Sequence, residues 1–237
     1  MKILISPMDS KEAIESIEGG ADIIDVKNPA EGSLGASFPW IIREIKDLAA
    51  RHGKQVSATI GDMEYKPGTA SLAALGAAQS GADYIKIGLF GVRDEEEAYK
   101  MLRSVTKSVK DFDEHKKLVA AAYADHYRIN SISPQLLPEV GERAEVDGIM
   151  IDTAIKDGKT LFDHMEIVEI KGFIEESQKR DIFCALAGSI RGTHTTALKE
   201  LKPDIIGVRT AVCKNGRNSR IEKHLVTNFI AEIAGQV

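Results

Sequence analysis

Gly19-Gly20-Ala21-Asp22-Ile23-Ile24-Asp25-Val26-Lys27-Asn28-Pro29 holds the end of a helix, a whole strand and the start of a loop. The glycine pair stops a helix. Ile23 to Val26 is short and β-branched, as strands are. Asn28-Pro29 signals a turn. Alternation along a strand sends Ile24 and Val26 to one side and Ile23, Asp25 and Lys27 to the other. A carboxylate and an amine on one face of an otherwise apolar strand is unusual, because buried charge is costly unless paired or put to use.

Gly81-Ala82-Asp83-Tyr84-Ile85-Lys86-Ile87-Gly88 nearly repeats the stretch, with Lys86 at the place of Asp25 and Gly88 at the place of Lys27. The spacing of roughly sixty residues is about two βα units. In equivalent geometry Lys27 and Lys86 point into one space, Lys27 one inward position nearer the strand end.

The units on either side follow the same alternation. Strands are predicted at Ile3–Ser6, Ile23–Val26, Gln55–Ile60, Tyr84–Leu89, Leu118–Ala124, Gly148–Asp152, Ile182–Ala187 and Ile205–Val208. A helix of about ten residues ending at Gly19 is predicted behind an Asp9-Ser10 cap, and others near 39–51, 69–80, 94–110, 134–144, 161–179, 194–201 and 221–234. Residues 28–38 and 61–68 read as long βα loops, a length that usually marks function. Near-continuous apolar strands imply a parallel sheet covered by helices. Eight units of about thirty residues predict a single α/β domain over 1–237, a (β/α)8 TIM barrel.

Composition sets outer bounds. The 237 residues are 43% hydrophobic and 28% charged, with net charge −5, so no nucleic acid or anionic membrane surface is an expected partner. Two cysteines, Cys184 and Cys213, form no CxxC or Cys/His cluster. There is no signal-peptide layout and no bilayer-length apolar run, which reads as a cytoplasmic protein. The oligomeric state is not fixed; a homo-oligomer is compatible.

A barrel places its active site at the C-terminal ends of the strands. Asp25, Lys27, Lys86, Asp125, His126, Asp152, Lys156 and Arg209 collect there. The carboxylates are interleaved with lysines that compete for them, so no metal is expected, and no cofactor. Several lysines in one pocket suggest amine catalysis: a neighbouring cation and desolvation lower an amine's pKa, and the neutral amine attacks a carbonyl to form a Schiff base. Lys86, set between Ile85 and Ile87, is expected to be the deeper and more desolvated amine, with Asp25 orienting Lys27. The bland alternative is a solvated rim lysine or a simple salt bridge. For His126 and His194 a cap or surface role is expected.

Gly188-Ser189 and Arg209-Thr210 follow the last two strands, the usual phosphate site of such barrels. They are expected to hold a substrate phosphate, with Arg209 as its cation. The residues alone therefore indicate a phosphorylated carbonyl compound as the small-molecule partner.

The chain also carries Ser6-Pro7, the Asp25-Val26-Lys27-Asn28-Pro29 motif, Glu31-Gly32-Ser33-Leu34-Gly35-Ala36, Phe38-Pro39-Trp40, Ala58-Thr59-Ile60-Gly61-Asp62, Tyr84-Ile85-Lys86-Ile87-Gly88, Gly148-Ile149-Met150-Ile151-Asp152-Thr153 and Leu186-Ala187-Gly188-Ser189. In these it resembles the (5-formylfuran-3-yl)methyl phosphate synthase family of methanofuran biosynthesis, also called 4-(hydroxymethyl)-2-furancarboxaldehyde-phosphate synthase, over nearly its whole length. The resemblance implies a barrel lyase that joins two glyceraldehyde 3-phosphate molecules with loss of phosphate and water. It implies Lys27 as the Schiff-base lysine and Lys86 as proton donor and acceptor, with Asp25, Asp152 and Lys156 in support.

Other readings stay open at this level. A class I aldolase uses the same lysine chemistry but gives an open-chain product. A phosphate-binding barrel decarboxylase uses an Asp-x-Lys array such as Asp25-Val26-Lys27 to stabilise a carbanion. A non-catalytic ligand-binding barrel does neither. Imine trapping separates the Schiff-base enzymes from the rest, and furan absorbance separates the synthase from an aldolase.

Overall fold

A computed structural model describes residues 1–235. Its parallel strands are β1 (Lys2–Ile5), β2 (Ile23–Val26), β3 (Gln55–Met63), β4 (Tyr84–Leu89), β5 (Lys117–Tyr123), β6 (Gly148–Asp152), β7 (Phe183–Leu186) and β8 (Ile205–Val208). They pair in sequence order, and β8 pairs with β1, so the sheet closes into a (β/α)8 barrel. The helices are α1 (Ser10–Glu18), α2 (Pro39–Ala50), α3 (Pro67–Gln79), α4 (Glu95–Phe112), α5 (Leu137–Arg143), α6 (Leu161–His164), α7 (Ile167–Lys179), α8 (Thr195–Leu201) and α9 (Lys223–Ala234). No described helix is long and apolar enough to cross a membrane.

Strand parity divides the apolar residues into two cores. Ile24, Val26, Ile85, Ile87, Leu118, Ala120 and Ala122 face outward and pack under the helices. Ile23, Tyr84, Val119, Ala121 and Tyr123 face inward and fill the barrel with Leu4, Met150, Ala185 and Ile205. Side chains of period two make this sorting automatic. The same parity carries Asp25 and Lys86 into the barrel, above the apolar plug.

The aspartates of the two Gly-Ala-Asp stretches share one structural role with Asp147 and Asp204. Asp22 accepts a hydrogen bond from the Ile3 amide, Asp83 from Val56, Asp147 from Leu118 and Asp204 from Cys184, each at 2.8 Å. Each carboxylate, at the start of an even-numbered strand, secures an N–H at the open lower rim of a neighbouring strand. Left bare, such buried groups destabilise a fold by about 1–3 kcal/mol each.

Two expectations need correction. The helix expected over 161–179 is broken: Met165 is extended, and Glu166 with Glu169 forms a capping box that starts α7 afresh. The loop expected from Gly61 is instead a continuation of β3 to Met63. Thr59 pairs with Lys86 but Asp62 pairs with Gly88, so β3 carries one extra residue there. Such a bulge reverses which face the following side chains take. It turns Asp62 inward.

Candidate active site

At the C-terminal mouth Asp25, Lys27, Lys86, Asp152 and Lys156 line one pocket, together with Ser6, Gly188, Ser189, Arg209, Thr210 and Arg217. β2 contributes Asp25 at its end and Lys27 just beyond it; β4 contributes Lys86, and β6 contributes Asp152 with Lys156 in the loop that follows.

The lysines and aspartates sort into pairs with one amine left over. Lys86 Nζ lies 2.7 Å from Asp25 Oδ1, both essentially buried. This contact is an ion pair rather than a well-directed hydrogen bond, since Oδ1 finds no aligned donor; Asp25 Oδ2 accepts from Ser6 Oγ at 2.9 Å. Lys156 Nζ lies 2.6 Å from Asp152 Oδ1 and 2.9 Å from Thr153 Oγ1. Burial pushes the Asp152 carboxyl up, but the Lys156 and Lys27 charges and hydrogen bonds from Lys156 and the Thr153 amide hold it below its ordinary value. Lys27 is only 8% exposed and makes no ion pair among the described residues. Desolvation lowers its pKa to about 8 against the opposing pull of Asp152 and Asp25, with Lys86 and Lys156 adding to the lowering.

The expected partnership of Asp25 with Lys27 is thus replaced. Asp25 pairs with Lys86 across the barrel interior, and Lys27 is left without a carboxylate in contact among the described residues. The two lysines do stand at different depths, as strand spacing implies: Lys86 also borders the small cavity inside the barrel below, with Ser57 and Tyr84.

Arg209, expected as the cation for a phosphate, is engaged within the protein. Its guanidinium is buried and bonded throughout: to Glu12 Oε2 at 2.7 Å and Oε1 at 3.3 Å, and to the carbonyls of Ser6, Arg217 and Ser219. A guanidinium has five N–H donors, and each is committed. The side chain ties α1, β1 and the segment after β8 together. Gly188 and Ser189 both take positive φ, +99° and +53°, in a turn beside Thr210. Sequence reasoning missed Arg217. It lines the pocket, with one hydrogen bond to the Gly32 carbonyl at 3.1 Å. Burial lowers its pKa, the field of Asp152 opposing. The one sequence signal was the Asn215-Gly216 turn before it.

Asp125 serves structure: its carboxylate receives the Ala154 and Ile155 amides at 2.7 and 3.0 Å and shapes the loop bearing Lys156. His126 Nδ1 meets the Ser131 carbonyl, and His194 Nδ1 accepts from the Arg191 amide. Among the described residues no group of acidic, histidine or cysteine side chains is disposed to hold a metal.

The sequence profile of 4-HFC-P synthase matches residues 3–230. The chain belongs to the (5-formylfuran-3-yl)methyl phosphate synthase family. A relative of that name from Archaeoglobus fulgidus is 60% identical over 235 residues, 99% of this chain and 100% of the relative. Synthases of the same name from Methanocaldococcus jannaschii and Methanosarcina acetivorans are 53% and 52% identical, covering 95% and 98% of this chain and 97% and 99% of their own. Solved structures share the synthase family's fold at much lower identity. KGPDC from Streptococcus mutans has a TM-score of 0.70 at 13% identity, covering 99% of this chain and 97% of its own. Phosphoribosyl anthranilate isomerase from Thermus thermophilus has 0.67 at 12%, with full coverage of both chains.

Proposed function

We propose that this protein is a cytoplasmic, Schiff-base-forming (5-formylfuran-3-yl)methyl phosphate synthase of methanofuran biosynthesis. It condenses two glyceraldehyde 3-phosphate molecules with loss of phosphate and water. The observation that carries the reading is Lys27: a buried amine with no ion pair among the described residues, pKa lowered to about 8, among two paired lysines and two aspartates. The family name of the relatives supports the product.

The residues divide the work by their surroundings. Lys27 Nζ attacks the aldehyde carbon of the first substrate molecule, and water leaves to give the imine. The imine nitrogen draws electrons from the adjacent carbon and makes its hydrogen acidic. The Lys86–Asp25 pair, deeper in the barrel, receives that proton and returns one later, since a paired amine and carboxylate pass a proton with little reorganisation. The carbanion equivalent attacks the aldehyde carbon of the second molecule. Asp152, with Lys156, stands where oxygen leaves as water or phosphate: Lys156 supplies positive charge to the leaving oxygen and Asp152 keeps the ammonium in place. The turn at Gly188, Ser189 and Thr210 holds a phosphate through backbone N–H groups, with Arg217 as the cation.

The test is incubation with glyceraldehyde 3-phosphate alone, followed by mass and ultraviolet absorbance analysis. A conjugated furan aldehyde phosphate is expected. An open-chain six-carbon product would make the protein an ordinary class I aldolase, and no carbon–carbon bond formation would sink the reading.

A further inference from the structure

The chemistry proposed for the lysines gives no role to a pair of titratable groups, buried Tyr123 and half-buried Asp62. Tyr123, at the end of β5 and fully buried, donates its hydroxyl hydrogen to Asp62 Oδ1. Asp62 reaches this place only because of the β3 bulge. Neither residue lines the lysine pocket.

Their other contacts lead to the segment that follows Lys27. Both Asp62 oxygens lie 3.2 Å from the Leu34 amide, and the Ser33 amide also donates to this carboxylate. Leu34 is buried in the inward-facing core beside Tyr123 and Met150. Ser33 Oγ donates to the Thr153 carbonyl at 2.8 Å, beside Asp152. The Gly35 carbonyl accepts from Thr59 Oγ1 at 2.7 Å and from the Asn28 amide at 2.9 Å. Asn28 is the residue next to Lys27. The loop is therefore drawn to β3, β5 and β6, and its base closes one residue from the reactive amine.

Two glycines clear the space. Gly32 has φ +137°, and a Cβ there would run into Asp62 Oδ2; a Cβ on Gly88 would run into the Tyr123 hydroxyl. Burial raises the pKa of Asp62 against its hydrogen bonds, and burial with the Asp62 charge raises that of Tyr123 well above its ordinary value. The phenol therefore stays a donor across the range in which the protein would work.

We propose that Asp62 and Tyr123 are positioning residues for Lys27: the pair latches the Ser33–Gly35 turn into the barrel mouth and so fixes and dries the strand end carrying the amine. The pair is held together by a charge-assisted hydrogen bond and acts through the loop. It touches neither substrate nor the reacting atoms. The proposal rests on the Lys27 reading only where turnover is measured.

Tyr123→Phe keeps the ring in the core and deletes the hydroxyl. Two readouts separate positioning from simple support of the fold. The first is Lys27 titration, read without substrate by acetic anhydride labelling across pH and peptide mass analysis. A released loop admits water, so the Lys27 midpoint should move upward from about 8 toward 10.5; the fields of Asp152, Asp25, Lys86 and Lys156 on it are unchanged by the substitution. The second is turnover: kcat should fall roughly tenfold to a hundredfold, as misplacement of a reacting group does, with KM moving far less. Asp62→Asn, which keeps the shape and one acceptor, should lie between wild type and Tyr123→Phe on both readouts, and decides the matter if Tyr123→Phe does not fold. A Lys27 midpoint unmoved in the folded variant overturns the proposal, whether or not turnover falls. A moved midpoint without synthase turnover in wild type leaves the latch standing and removes the functional reading instead.

Discussion

Replacing Lys27 with Met should abolish activity and stabilise the protein. The amine's pKa in the fold is about 8 against 10.5 for an ordinary lysine. Each pH unit of difference between folded and unfolded chains is about 1.4 kcal/mol, so the buried ammonium costs about 3 kcal/mol at neutral pH. The folded pKa lies below the unfolded one, so the unfolded chain binds more protons between pH 8 and 10.5. The cost is therefore complete below pH 8 and fades as pH rises from 8 to 10.5. Methionine fills similar volume without charge and removes the cost. For a chain of this length a gain of about 3 kcal/mol raises Tm by roughly 6–12 °C. Urea unfolding of both proteins at pH 7, 9 and 10.5 reads the difference. The gain should be largest at pH 7 and should shrink steadily on the alkaline side. Equal or lower stability of the variant at pH 7, or a gain that does not change with pH, would mean that Lys27 carries no desolvated charge in the fold. The same number bears on function: about a tenth of Lys27 is neutral at pH 7, against roughly 0.03% for an ordinary lysine. Apparent kcat/KM should accordingly rise toward pH 8 and level above it.

Arg209→Ala should act on stability. It strands Glu12, which is 1% exposed, without its cation; such losses cost about 3–5 kcal/mol. Urea unfolding should show it, with KM of the folded fraction little changed. A stable variant with weakened substrate binding would restore Arg209 to the phosphate site. Arg217→Gln should do the reverse, raising KM roughly tenfold to a hundredfold, the worth of one hydrogen bond to a charged group, with little effect on unfolding. An unchanged KM would remove Arg217 from substrate binding.

The barrel was legible because parallel strands leave a strong mark: Ile23–Val26 and Tyr84–Leu89 are mostly apolar and buried on both faces, and parity assigns Asp25 and Lys86 to the interior without further information. The convergence of Lys27, Lys86, Asp152 and Lys156 followed from inward parity on β2 and β4 and from the position of Asp152 and Lys156 at and just after the end of β6. Pairing among them was not legible. Asp25 and Lys27 are neighbours on one strand face, yet Asp25 bonds across the barrel to Lys86, because register between strands sets the closer approach. Arg209 looked like a phosphate ligand by position; its partner Glu12 is almost two hundred residues away in sequence and gave no sign. Asp62 was hidden by the bulge after Thr59, which changes parity by one residue. The break before α7 was written in the Glu166–Glu169 capping box, and the apolar run on both sides of it obscured the signal.

Covalent trapping decides whether Lys27 is the nucleophile. The enzyme is incubated with glyceraldehyde 3-phosphate, reduced with borohydride, digested, and its peptides weighed. A substrate-derived mass increase is expected on the peptide carrying Lys27. It should vanish in Lys27→Arg, which keeps the charge but offers no usable nucleophile, together with turnover. In Lys86→Met turnover should slow while an adduct on Lys27 can still form. An adduct on Lys86 or Lys156 with Lys27 unmodified, or near-normal turnover by Lys27→Arg, would place the nucleophile elsewhere.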